Sequence, residues 1–145
     1  MKSKRIEGAG ERTFALVFET GEEVIAGLMS FAQQRRLAGS HFTGIGAFSD
    51  VLLGYFEWER KDYKRIPMRE QVEVLSLVGD IALNEGEPKV HAHVVVGRSD
   101  GTAHGGHLLE GHVRPTLEVT LVESAVQLRR RHDPASGLAL IDLTA

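Results

Sequence analysis

The chain has 145 residues, 42% hydrophobic and 26% charged, which predicts one soluble globular domain over 1–145 with a single core. Cysteine is absent, so disulfides, thiolate metal sites and cysteine nucleophiles are excluded, and any metal must be held by histidine and carboxylate. The net charge of -3 gives no overall field to attract nucleic acid, and no apolar stretch is long enough to cross a bilayer.

The start, Met1-Lys2-Ser3-Lys4-Arg5, is basic and then polar, without an apolar run of signal-peptide type, and a cytoplasmic location is expected. Phe14, Leu16 and Phe18 alternate with Thr13, Ala15 and Val17, which predicts a first strand over 13–18. Thr20-Gly21-Glu22-Glu23 has the spacing of a capping box, Thr20 and Glu23 reciprocally satisfying free amides at a helix start. Val24, Ile25, Leu28, Phe31 and Ala32 then repeat at helical spacing, with Gly39 expected to end the helix.

From there the pattern is β throughout. A glycine-punctuated strand is predicted over 42–48, a hairpin over 51–58 and 63–66, and a long strand over 72–83 broken at Gly79. After a turn at 84–88, a strand over 90–96 leads to Arg98-Ser99-Asp100-Gly101, where Asp-Gly is a strong hairpin signal. Residues 116–123 and 127–131 are expected to pair, and 140–143 to form a short terminal strand. One principal N-terminal helix against a mostly antiparallel sheet gives an α+β class.

Basic clusters do not favour nucleic acid. Arg60, Lys61, Lys64, Arg65 and Arg69 are interleaved with Glu57, Glu59, Asp62 and Glu70, and only Arg129-Arg130-Arg131 is an uninterrupted run.

Histidine is the informative residue. Five of the seven fall between His91 and His112. On the 90–96 strand, alternation puts Val90, Ala92, Val94 and Val96 on a core face and His91 and His93 on the other, with Cα atoms roughly 6.5–7 Å apart. The hairpin at Asp100-Gly101 brings the Gly105-Gly106-His107 segment back alongside them. Three imidazoles on adjacent strands describe an open metal site, with a place left for water or substrate. The same spacing also fits polar residues obeying sheet alternation, and both readings stand on the pattern alone. His104, His112 and His132 are expected at the surface or in hydrogen bonds, and His41 is assigned no role.

The run Glu73-Val74-Leu75-Ser76-Leu77-Val78-Gly79-Asp80-Ile81-Ala82 is followed by Pro88-x-x-His91-Ala92-His93-Val94, then by Asp100-Gly101 and Gly105-Gly106-His107-Leu108. Val113-x-x-Thr116-Leu117-Glu118-Val119 completes the series, and Phe42-x-Gly44-Ile45-Gly46-Ala47 precedes it. In this order the motifs resemble the PPC domain, a domain shared by plants and prokaryotes, over a core of about 12–121. The resemblance implies an α+β domain that assembles as a homotrimer, with zinc held at the positions of His91, His93 and His107. In plants the domain follows AT-hook segments that grip the minor groove, and the family carries a DNA-binding association. This chain has no Arg-Gly-Arg-Pro core, the segment that supplies the minor-groove arginines.

Two functional expectations follow. The first is a homotrimeric zinc-binding module, associated with DNA or with protein partners and acting in regulation or assembly. The second is a metal-dependent enzyme acting on a small polar molecule, for which Glu73 and Glu118 are the candidate acid or base residues; their plainer role is pairing with an arginine such as Arg114.

Overall fold

The computed structural model describes residues 1–6 and 12–144, which hold nine strands in one sheet and a single helix. β1 (Lys2–Ile6) pairs antiparallel with β2 (Arg12–Glu19), and β2 buries Phe14, Leu16 and Phe18 as its alternation requires. α1 (Val24–Arg35) buries Val24, Leu28, Phe31 and Ala32, packs on two strands described below, and sets Phe31 edge-on to Phe14 at 5.2 Å.

The start of α1 differs from the expected capping box. Glu23 itself is the N-cap, its carboxylate accepting from the Ile25 and Ala26 amides at 3.0 and 2.6 Å. Thr20 instead donates to the Pro115 carbonyl. The cause is tertiary: Gly21 and Glu22 exchange backbone hydrogen bonds with Val113, so residues 20–22 are held as a turn beside another strand and cannot enter the helix. The helix also ends earlier than Gly39, at a left-handed Arg36 whose amide closes the last turn.

β3 (Gly39–Glu57) and β7 (Ala103–Glu123) are long, bulged strands that pair along nearly their full lengths. β3 contains both the glycine-punctuated segment and the first arm of the hairpin to β4 (Asp62–Met68). β5 (Val72–Asn84) is continuous rather than broken at Gly79. A Cβ there would sit 2.3 Å from the Phe42 ring and 2.4 Å from the His91 carbonyl oxygen, so glycine serves close packing and not a break. Glu85 and Gly86, with φ of 53° and 88°, form a two-residue turn into β6 (Glu87–Gly97).

The pairings β3–β5, β5–β6, β6–β7 and β7–β3 close on themselves. Phe42, Phe48, Leu53, Leu77, Val94 and Leu117 are among the side chains buried in the resulting core, and α1 covers β6 and β7. After β7 the chain does not fold back on itself as expected for 116–123 with 127–131. The amides of Ser124 and Leu128 bond to the carbonyls of Gly39 and Ala38, which carries the chain across the start of β3. β8 (Arg129–His132) therefore runs parallel to the end of β5 and pairs with β9 (Ala139–Asp142). Among the described residues no helix is long and apolar enough to cross a membrane.

Candidate metal centre

β6 is bonded on both edges, and its register decides the site. Asp80 lies opposite His91 and Val78 opposite His93 on β5, while His93 lies opposite His107 on β7. Ala92, Val94 and Val96 are buried and Val90 is half-buried against the core, which turns Lys89, His91 and His93 to the other face. The histidines expected to converge do so. Their ring centroids stand 5.1 Å (His91–His93), 5.2 Å (His91–His107) and 5.3 Å (His93–His107) apart, and one nitrogen from each lies within 4.8 Å of the others.

The donor set fits a metal ion. Nε2 of His91 and Nε2 of His93 are 3.3 Å apart. Two nitrogens bonded to one tetrahedral ion at about 2.0–2.1 Å are separated by about 3.3 Å. His107 supplies a second sign, because its Nδ1 is buried with no hydrogen-bond partner among the described residues.

The electrostatics favour the neutral form of His93 and His107. Burial pushes the His107 pKa down to about 4, aided by the charges of His91, His93 and Lys89. Burial and then the charge of His91 hold His93 below its ordinary value. Unprotonated rings offer the lone pairs that a metal needs.

Around the triad stand residues that the sequence reading did not assign. Asp80 Oδ2 faces His91 Nδ1 at 3.6 Å, which leaves Nε2 of His91 turned to His93. Burial works to raise the Asp80 pKa, but contacts with His91 and Arg130 outweigh it and hold the carboxyl below its usual range. Arg130 bonds Asp80 through Nη2. Tyr63, brought over by β4, stacks on the His107 ring at 4.6 Å. Asp80 was within reach of the sequence, since a turn at Glu85-Gly86 aligns it with His91. Arg130 was not, because it arrives through the crossover to β8.

The remaining candidates lie elsewhere. Glu73 pairs with Gly97, five positions along β5 from Val78, or about 16 Å from the histidine register. Glu118 is farther along β7, opposite Ile45 and Val17. The two carboxylates share a groove of about 510 Å³ with Ile45, Gly46 and Thr116, and no histidine lines it. Neither forms an ion pair among the described residues, with Arg114 or otherwise. His41, His104 and His132 are exposed, and His112 bonds Asp50 at 2.8 Å.

Comparison with known proteins agrees with the motifs. A model of the Plants and Prokaryotes Conserved (PCC) domain matches residues 5–125. A plant- and prokaryote-conserved (PPC) protein from Pyrococcus horikoshii is similar at 34% identity and a TM-score of 0.85, covering 94% of this chain and 97% of its own. A metal-containing protein from Archaeoglobus fulgidus is 29% identical with a TM-score of 0.83, over 97% of this chain and 99% of its own. A protein from Bacteroides thetaiotaomicron, named as a candidate for DNA binding, is 25% identical with a TM-score of 0.89 over 99% of both chains. Among curated proteins, the bifunctional protein GlmU of Synechococcus sp. (strain JA-3-3Ab) is 30% identical over 129 residues, or 87% of this chain. The match spans only 20% of that protein's length.

Proposed function

This chain belongs to the Plants and Prokaryotes Conserved domain family, and from that premise we propose that it is a cytoplasmic, homotrimeric metal-binding domain with zinc at His91, His93 and His107. The observation that carries the reading is the convergence of three imidazoles, with the paired Nε2 atoms at 3.3 Å and the His107 Nδ1 buried without a partner. Imidazole nitrogens accept zinc, copper, iron and nickel, and the tetrahedral separation of the paired Nε2 atoms favours zinc among them. When bound, such an ion supplies a Lewis acid that polarises a ligand oxygen.

The chain's own residues do the rest. Asp80 orients His91, Arg130 fixes Asp80, and Tyr63 backs the His107 ring. The metal-containing relative from Archaeoglobus fulgidus supports the same reading.

As a module for assembly, the domain has an apolar face suited to copies of itself, with Ile45, Leu75, Val78 and Val95 exposed. DNA is the partner suggested by the relative from Bacteroides thetaiotaomicron. The charge pattern gives it little support, because Arg12, Arg60, Arg98, Arg130 and Arg131 are each committed to an acidic partner on the same chain.

Elemental analysis of purified protein beside a His91→Ala/His93→Ala variant tests the reading. One zinc per chain, lost in the variant, is expected. No metal in the unaltered protein, even after reconstitution, overturns it.

A second reading, a metal-dependent enzyme acting on a small polar molecule, is favoured by one observation: a cavity of about 150 Å³ opens beside His91 and His107. Glu73 and Glu118 have no part at the metal in this reading, and Glu73→Gln and Glu118→Gln are expected to leave zinc content unchanged.

A further inference from the structure

The cavity beside the histidines has a chemistry of its own. Arg130 lines it, and only 6% of that side chain is exposed. Nη2 of Arg130 bonds Asp80 and Nη1 bonds the Ala139 carbonyl at 3.0 Å. The third guanidinium nitrogen, Nε, is buried with no partner among the described residues. A buried guanidinium N–H left without an acceptor is rare in folded proteins, and it marks a place where an acceptor is missing.

Lys89 lines the same cavity. Alternation along β6 puts it on the face of His91 and His93, and it has no ion pair among the described residues. With Asp80 already held by Arg130, Lys89 leaves the cavity with surplus positive charge, and a divalent ion at the histidines adds to it.

Size and lining narrow the ligand further. A volume of about 150 Å³ is below the roughly 300 Å³ or more of sites for larger ligands, which favours a small molecule. Leu138 and Leu140 supply an apolar wall, which suits a short carbon chain better than a wholly polar oxyanion.

We propose that this cavity binds a small monocarboxylate of two to four carbons, its carboxylate held by Lys89 and Arg130 Nε and its carbon chain against Leu138 and Leu140. The proposal rests on the metal reading, since the ion supplies charge on the histidine side.

Calorimetric titration of the zinc-loaded protein with L-lactate and with its neutral amide, lactamide, tests it. Zinc content is measured on each sample beforehand. Lactate is expected to bind at least about tenfold tighter than lactamide, Lys89→Gln to weaken lactate about tenfold, and Lys89→Glu to abolish its binding. Lys89 is exposed on a strand, so both variants are expected to keep the unfolding temperature of the parent. Equal affinity for lactate and lactamide, unchanged lactate affinity in Lys89→Gln, or no lactate binding by protein carrying one zinc per chain each overturns this proposal and leaves the metal reading intact. Protein that takes up no zinc overturns both.

Discussion

His93 is the most exposed of the three converging imidazoles, whereas His107 is half-buried and stacked on Tyr63, so the two substitutions separate ligation from packing. His93→Ala is expected to abolish stoichiometric zinc binding while shifting the stability of the metal-free protein by no more than about 0.5 kcal/mol. His107→Ala is expected to lose zinc and also about 1–3 kcal/mol, because the Tyr63 face is left uncovered. Zinc analysis and denaturant unfolding in chelator check both. His112 gives a residue-scale prediction away from the metal. Its hydrogen bond to Asp50 raises the imidazole pKa above 6.5, and the same bond outweighs burial and lowers Asp50 below 3.8. The His112 contribution is full below pH 6.5 and is lost as pH rises through the raised folded value; that of Asp50 is lost as pH falls through its lowered value. The side chains are 35% and 47% exposed, so solvent limits the pair to about 0.2–1 kcal/mol. His112→Gln is expected to flatten the decline in stability above pH 6.5, measured by urea unfolding across that range; an unchanged pH profile would refute it.

The β5–β6–β7 pairing is the element that makes the site, and Gly79 is its tightest point. It sits opposite Ala92, between the partners of His91 and His93. Gly79→Ala would drive a methyl group into the Phe42 ring and the His91 carbonyl, parting β5 from β6 where the histidines must stay in register. A loss of about 2 kcal/mol or more is expected, with weaker zinc binding. Gly86→Ala is the contrast: its Cβ meets open space, so only the φ of 88° is strained and zinc binding is expected to persist. This element was also the most legible in the sequence. Asp100-Gly101 fixes a local hairpin, and alternation in Val90–Val96 then decides which side chains face the core, so the triad follows from short-range rules. What was not legible depends on distant partners. Thr20 and Glu23 carry the capping-box spacing, yet Val113 captures the intervening backbone and moves the cap to Glu23. Arg129–Arg131 gives no alternation to read, and its parallel pairing with Leu83 and Asn84 depends on a crossover that no turn motif announces. Asp80 was read only as part of a motif, although the Glu85-Gly86 turn sets it opposite His91; its bond to Arg130 is what the crossover to β8 hides.

At the scale of the whole molecule, one sheet face lacks a cover among the described residues. Ile45 is 62% exposed, Leu75 54%, Val78 47% and Val95 41%. Ile45 and Leu75 lie where the β3–β5 and β5–β6 registers shift, and Val95 pairs with Ser76 beside them, so these side chains form one neighbourhood rather than scattered exceptions. These apolar side chains favour association through the face itself, which must also accommodate Glu118, opposite Ile45, and Glu73 in the same groove. If the proposed trimer forms, this is the face it is expected to bury. Light scattering on the eluting protein is expected to give a three-chain mass for the unaltered sequence and a single-chain mass for Ile45→Asp or Leu75→Asp, since each would bury an unpaired carboxylate at the interface. A single-chain mass for the unaltered protein at micromolar concentration would overturn the assembly. The same variants decide how the two halves of the reading relate. His91, His93 and His107 come from one chain and are positioned by strand pairings internal to it. A dissociated Ile45→Asp chain is therefore expected to keep its full zinc content. Loss of zinc together with the trimer would mean that a neighbouring subunit completes the site.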